Sequence, residues 1–323
     1  MRKLIVVVGP TATGKTSLAV SLCQKFNGEI ISVDSRQAYR EMEIGTGKAM
    51  QNSKIKMQNE EVPIHLYDLV KPDEQPNAFE YSQRAREKVR DICSRGKIPF
   101  LVGGTGFYLD VVLGRVGLAE VGSNEELRRE LSLLTDSQLL ERLGRLDPGR
   151  LEKIDRKNRY RVLRALEIAW QNQRSMDSTM LTIDPERKSN GSKIKDQSQS
   201  LKVKSFQVLW LGLTAANEVL YKVADARIDR MMKEGLEEEV RSLVEKYGWE
   251  VQGLKTLGYR EFRPYFEKRI GLEEVIQKIK FNTHAYIRRQ KTYFKRNHQI
   301  IWLNIGKAGF GKEASDRVRL FLI

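Results

Sequence analysis

Residues 4–16 read Leu4-Ile5-Val6-Val7-Val8-Gly9-Pro10-Thr11-Ala12-Thr13-Gly14-Lys15-Thr16, and this stretch decides the fold. The opening run is apolar throughout and mostly β-branched, the pattern of a short strand buried on both faces. The eight residues that follow fit G-x-x-x-x-G-K-[ST] in full. Glycines let the backbone curl so that successive N–H groups face an anion, and the helix that starts at once adds its positive end. Lys15 reaches the phosphate oxygens, and the Thr16 hydroxyl is placed to ligate Mg²⁺. Gly9, Pro10, Thr11, Ala12, Thr13, Gly14, Lys15 and Thr16 are therefore expected to form a phosphate-binding loop.

Working outward, similar apolar runs recur at 29–33, 99–102, 208–213 and 299–304, each closed by turn residues. Helix-like stretches begin near Lys15, Phe79 and Ala216. Strands alternating with helices predict an α/β fold, a P-loop NTPase-like parallel sheet core covered on both faces. The core is expected to span residues 1–113 and 208–323 and to carry a long basic helix over 272–296. Between these segments the rhythm breaks. Residues 114–207 hold helix-period segments at 125–134, 137–146 and 158–170 and no convincing strand, which predicts a mostly helical insertion subdomain. Within it, residues 172–205 are rich in Ser, Lys, Gln and Asn. Such a stretch buries too little to offset its ordering entropy, so an exposed loop or a loosely held helix pair is expected.

Composition narrows the function. The chain has 323 residues, with 57 Lys and Arg against 42 Asp and Glu, a formal net charge of +15. That excess attracts polyanions, and phosphate contacts dominate nucleic-acid affinity. No apolar run is long enough to cross a bilayer, and no secretory leader is recognisable. Cys23 and Cys93 cannot make a disulfide framework or, with three histidines, a comfortable structural zinc site. A cytoplasmic protein without membrane contact is expected. The loop alone leaves its chemistry open. No Asn-Lys-x-Asp motif supports a GTPase, while small-molecule kinases and reactions with a diphosphate leaving group both remain.

Ligands in open parallel sheets bind outside the carboxyl ends of the strands. Two such ends are polar here, Asp34-Ser35-Arg36-Gln37 and Gly103-Gly104-Thr105-Gly106. By position Asp34 is a general base, a metal ligand or a helix cap, and Thr105 a cap or a site residue. Charge is also clustered. Arg156, Lys157, Arg159, Arg161 and Arg164 lie within nine positions, and residues 280–297 hold six Lys or Arg and no acid, with Tyr286, Tyr293 and Phe294 interleaved. Basic groups take backbone phosphate while aromatic faces stack on unpaired bases. The bland alternative is two solvated helix faces with aromatics turned to the core.

The series Gly9–Thr16, Asp34-Ser35-Arg36-Gln37-Ala38-Tyr39, Ile44-Gly45-Thr46-Gly47-Lys48 and Gly103-Gly104-Thr105-Gly106-Phe107-Tyr108 resembles the tRNA dimethylallyltransferase family. So do Arg161-Val162-Leu163-Arg164-Ala165-Leu166-Glu167, Arg227-Ile228-Asp229, Glu239-Val240, Leu257-Gly258-Tyr259 and Arg289-Gln290. The resemblance implies transfer of a dimethylallyl group from dimethylallyl diphosphate to N6 of the adenosine 3′-adjacent to the anticodon in tRNA. The loop would then hold a diphosphate leaving group with Mg²⁺, in a monomer. Asp34 would be the base on N6, Thr105 would help position the amine, and Arg227 would hold diphosphate. Ser35 and Gln37 would touch the flipped purine and its neighbours, and Arg36 would contact the tRNA. Lys157, Asn158, Arg159, Tyr160, Arg161, Arg288 and Arg289 would contact the tRNA. Ile64, His284 and Tyr293 depart from the family's usual residues, and His65 and His284 are expected to be structural.

Overall fold

A computed structural model describes residues 2–48, 62–116, 124–180 and 206–323. The chain divides into two compact units, Met1–Val116 with Gln199–Ile323, and Gly117–Ser198.

The first unit is built on a six-stranded sheet. Its strands are β1 (Arg2–Val8), β2 (Gly28–Ser32), β3 (Ile64–His65), β4 (Ile98–Gly103), β5 (Phe206–Thr214) and β6 (Ile301–Asn304). They lie in the order β3-β2-β4-β1-β5-β6, every pairing parallel. Strict alternation along β1 divides the core. Leu4, Val6 and Val8 pack on one face with Ile31 and Leu101. Ile5 and Val7 pack on the other with Ile30, Phe100 and Leu211. Because side chains alternate across a strand, one apolar run serves both layers. Helix α1 (Lys15–Phe26) covers the second face through Leu18, Ala19, Leu22 and Cys23. Helices α2 (Ala78–Ser94) and α3 (Gly106–Val112) cover the first, α2 presenting Tyr81, Ala85, Val89 and Ile92 at helical spacing.

Strand β3 has two residues, too few to leave a period in the sequence, and it adds an edge strand beyond the five apolar runs. His65 in it lies 2.8 Å from Glu29, which also accepts from Lys97 at 2.8 Å and from Arg95. The Arg95 guanidinium, ahead of every other influence, holds the Glu29 carboxyl well below its ordinary range. His65 thus serves a buried ion cluster that fastens the sheet edge.

The second unit contains α4 (Glu125–Ser132), α5 (Asp136–Leu146), α6 (Pro148–Lys153) and α7 (Arg159–Met180). Leu127, Leu131, Leu139, Leu143, Val162 and Leu166 form its core. Glu167 is fully buried there, accepting the Asn124 N–H at 2.5 Å and pairing with Arg128 at 3.1 Å and Arg164 at 2.5 Å. Residues 172–180 of the segment expected to be loose continue α7, and 181–205 lie outside the described residues.

Among the described residues the first unit continues with α8 (Asn217–Lys233), α9 (Leu236–Tyr247), α10 (Arg263–Phe266) and α11 (Leu272–Phe294), before α12 (Phe310–Leu322). Ile228, Met231, Leu236, Val240, Val275 and Ile279 give α8, α9 and α11 a common core with Tyr39 and Met42. That core carries α8 and α11 to the strand ends where the site lies. Phe294 is buried at 3% exposure in the sheet core, so it offers no face to an RNA base. Among the described residues no helix is long and apolar enough to cross a membrane.

Candidate active site

Strand order assembles the site. β4 lies between β1 and β2, so its end at Gly103-Gly104-Thr105 falls between the phosphate loop after β1 and Asp34 after β2. The Val33 N–H donates to the Val102 carbonyl at 2.7 Å, and the Thr105 N–H donates back to the Val33 carbonyl at 3.3 Å. Two turns on separate strands are thereby stitched together. All three strand ends open on one cavity of about 700 Å³, lined among others by Thr11, Lys15, Thr16, Asp34, Gln37 and Arg227. A volume of that order suits a small ligand together with a reacting group.

The loop has the shape its motif demands. Ala12 and Gly14 are left-handed, at φ 66° and 77°, and Gly14 caps α1 without a side-chain acceptor. The first-turn N–H groups of α1 are therefore left for an anion. Lys15 donates to the Pro10 carbonyl at 2.6 Å. Burial pulls its ammonium down from its ordinary value to about 7, Asp34 opposing the fall while Arg227 and Arg36 add to it.

That value sets a pH dependence. Well above pH 7 the free Lys15 loses its proton, whereas a bound diphosphate would hold the ammonium and raise its pKa. Near pH 8 Lys15 should take up a proton when diphosphate binds, beyond any the diphosphate itself exchanges, and below about pH 6, where Lys15 is protonated in both states, that uptake should vanish. Calorimetry in buffers of different ionisation enthalpy reads this directly. Lys15→Met should abolish the uptake, and an unchanged uptake in that variant would assign the proton to another group.

Asp34 accepts the Arg36 N–H at 3.0 Å through Oδ1, a local turn bond that caps no helix. Its carboxylate lies 3.8 Å from the Arg36 Nε. Thr105 stands at the N-cap of α3 but makes no capping bond. Its hydroxyl instead accepts the Ser35 N–H at 3.2 Å. Gln37 is buried and bonded to the Ser32 hydroxyl at 2.7 Å. Arg227 comes from α8, its guanidinium donating to the Thr11 hydroxyl at 3.4 Å and to the Thr46 carbonyl at 3.5 Å. Burial lowers its pKa to about 10, which leaves it charged at neutral pH.

Three residues that hold the site together had no role legible in the sequence. Glu239, in the first turn of α9, accepts the N–H groups of Glu43, Ile44 and Gly45 at 2.8, 2.7 and 3.1 Å and the Tyr259 hydroxyl at 2.7 Å. It fixes the loop that carries Thr46 and Gly47. Gly47 is left-handed at φ 78°, and a Cβ there would occupy the space of the Arg227 guanidinium. Gln290 joins the phosphate loop to the β4 turn, bonding to Thr11 and Gly104. All three stand within family-like motifs, but nothing local marks what they grip.

The basic residues divide. Arg288 and Arg289 are exposed on α11 and line a shallow groove with Ala285, Thr292, Tyr293 and Arg296. Tyr293 donates to Asp110, and His284 pairs with Asp225 at 2.8 Å while stacking on Tyr221 at 4.0 Å. In the second unit Lys157, Arg161 and Tyr160 are exposed, whereas Asn158 accepts the Arg161 N–H at 3.2 Å. Arg159 is held by Asp136 and by the Ser132 and Leu134 carbonyls at 2.9 and 2.6 Å. Among the described residues no cluster of three His, Cys, Asp or Glu could hold a metal. The donors present at the cavity, the Thr16 hydroxyl and the Asp34 carboxylate, are hard oxygens of the kind Mg²⁺ shares with a diphosphate and water.

A phosphate-binding loop motif facing the Asp34 turn across one cavity fits a P-loop group transferase. Comparison with known proteins agrees. The IPP transferase family model matches residues 37–297, and the Isopentenyl transferase model matches residues 2–61. A tRNA dimethylallyltransferase of Roseiflexus sp. (strain RS-1) is 38% identical over 100% of this chain and 99% of its own. One from Lactococcus lactis is 36% identical over 99% and 98%. The crystal structure of the tRNA isopentenylpyrophosphate transferase of Bacillus halodurans superposes with a TM-score of 0.67 at 31% identity, covering 100% of this chain and 96% of that one. A eukaryotic dimethylallyltransferase acting on tRNA gives 0.76 at 26% identity, over 98% and 78%. The chain belongs to the tRNA dimethylallyltransferase family.

Proposed function

We propose that this protein transfers a dimethylallyl group from dimethylallyl diphosphate to N6 of the adenosine 3′-adjacent to the anticodon of a tRNA, releasing diphosphate. The observation that carries the reading is the convergence of the loop, Asp34 and the β4 end at Gly103 on one cavity, with Thr105 tied to the Asp34 turn through the Ser35 N–H. An adenine stacked in the anticodon loop cannot reach such a cavity, so it flips out and enters it. Asp34 accepts a proton from N6 as the nitrogen attacks the carbon bearing diphosphate, and that carbon–oxygen bond breaks. Thr105 helps position the amine. Lys15, Arg227 and the N–H groups at the start of α1 stabilise the charge that collects on diphosphate. Mg²⁺ held by Thr16 would neutralise diphosphate charge when bound.

Arg288, Arg289 and Arg296 on α11 offer a groove to RNA phosphate, and Lys157, Tyr160 and Arg161 offer a second basic surface to the anticodon arm. Asn158 and Arg159 support that surface from within α4–α7. Ser35, Arg36 and Gln37 border the entering purine. The protein acts as a cytoplasmic monomer. The rival reading, transfer to free adenine nucleotides, leaves the arginine groove without a purpose. Incubating unmodified tRNA and AMP side by side with labelled dimethylallyl diphosphate separates the two. Label should enter tRNA, and preferential labelling of AMP would overturn the assignment.

A further inference from the structure

Gln290 is 5% exposed, one turn beyond Tyr286 on the same face of α11. Its Oε1 accepts the Thr11 N–H of the phosphate loop at 2.8 Å. Its Nε2 donates to the Gly104 carbonyl at 2.9 Å, the residue before Thr105. The two bonds use opposite ends of one planar amide, so only Gln supplies both an acceptor for the loop and a donor for the turn at this reach. Gly104 supports the same arrangement from the other side, since a Cβ there would collide with the Gln290 Nε2, the Gln290 Cδ and the Gly9 carbonyl lying at 3.5 and 3.6 Å. Thr11 is further pinned through its hydroxyl by Arg227 at 3.4 Å. The Thr11 N–H is thus withdrawn from anion binding and used to set where the loop sits.

We propose that Gln290 is a positioning residue whose side-chain amide fixes the gap between the loop that takes the diphosphate and the turn that holds the attacking amine. This rests on the transfer reaction proposed above. Nitrogen and carbon must be held within a few tenths of an ångström of an in-line approach, and a displacement of about 1 Å costs roughly a hundredfold in rate. Gln290 touches neither reacting atom. Its removal lets the two turns drift while leaving the Lys15 end of the loop and the exposed arginines in place.

The test is single-turnover transfer with equilibrium binding measured on the same proteins. Gln290→Met, similar in shape but without either bond, should slow transfer roughly ten- to hundredfold. Inorganic diphosphate and tRNA should each still bind within about threefold of wild type. Amide exchange at Thr11 should accelerate in the same variant. The cycle with Gly104 guards against a general folding defect. Gly104→Ala should slow transfer by a comparable factor in the wild-type background, because the methyl group expels Nε2. In a Gln290→Ala background the same change should cost little more, since its obstacle has gone. Transfer by Gln290→Met within threefold of wild type, losses of rate and affinity in parallel, or an additive cycle would each overturn the proposal. Wild-type protein that leaves tRNA unmodified would instead overturn the reaction itself.

Discussion

Replacing Asp34 with Asn should lower the rate of dimethylallyl transfer by about a hundredfold to ten-thousandfold, the usual range for loss of a general base. The substitution is well controlled by the local structure. Oδ1 accepts the Arg36 N–H at 3.0 Å, and an Asn carbonyl oxygen can accept the same bond, so the turn after β2 survives. The amide cannot take a proton from N6. Diphosphate affinity should hold, because Lys15, Arg227 and the start of α1 come from other elements. Two alternatives give different results. If Asp34 were the main Mg²⁺ ligand, diphosphate affinity would fall with the rate, and excess Mg²⁺ would restore part of both. If it only shaped the turn, the variant would transfer within about threefold of wild type. Single-turnover rates with diphosphate titrations on this one protein distinguish the three.

Gly47→Ala should be nearly as damaging, although Gly47 performs no chemistry. Its φ of 78° is a conformation that costs an L-residue about 1–2 kcal/mol. The larger effect is steric, since the new methyl group takes the place of the Arg227 guanidinium. Arg227 must swing away from Thr11, removing one preorganised charge from the leaving group. Losing a donor of that type costs on the order of a hundred- to a thousandfold in turnover. Gly47→Ala should therefore match Arg227→Ala in transfer rate and in weakened diphosphate binding, while tRNA affinity stays close to wild type. A Gly47→Ala protein with normal turnover would show that Arg227 does not act from this position.

How much of this was legible depended on how local each signal is. β1, the loop and α1 are contiguous, and their apolar run, glycines and Lys15-Thr16 declare themselves within thirteen residues. Asp34 and Thr105 could be picked out because polar residues end apolar strands, yet their roles stayed open between base, ligand and cap. The geometry narrows them. Thr105 makes no cap bond and turns its hydroxyl to the Ser35 N–H. What Gln290 grips could not be read, because it meets Thr11 across 279 positions of sequence. Glu239 and Gly47 are similar, each defined by a partner from a distant element. Helical period also misleads about direction. Phe294 follows Tyr293 in a basic stretch, and only packing shows that one turns to the core while the other donates to Asp110.

One measurement meets the proposed reaction directly. Unmodified tRNA is incubated with the protein, dimethylallyl diphosphate and Mg²⁺, then digested and analysed by mass spectrometry with fragment mapping. One dimethylallyl group should appear per tRNA, on N6 of the adenosine immediately 3′ of the anticodon, with one diphosphate released and no nucleoside triphosphate consumed. A tRNA of unchanged mass, or a reaction that proceeds only by splitting ATP, would contradict it.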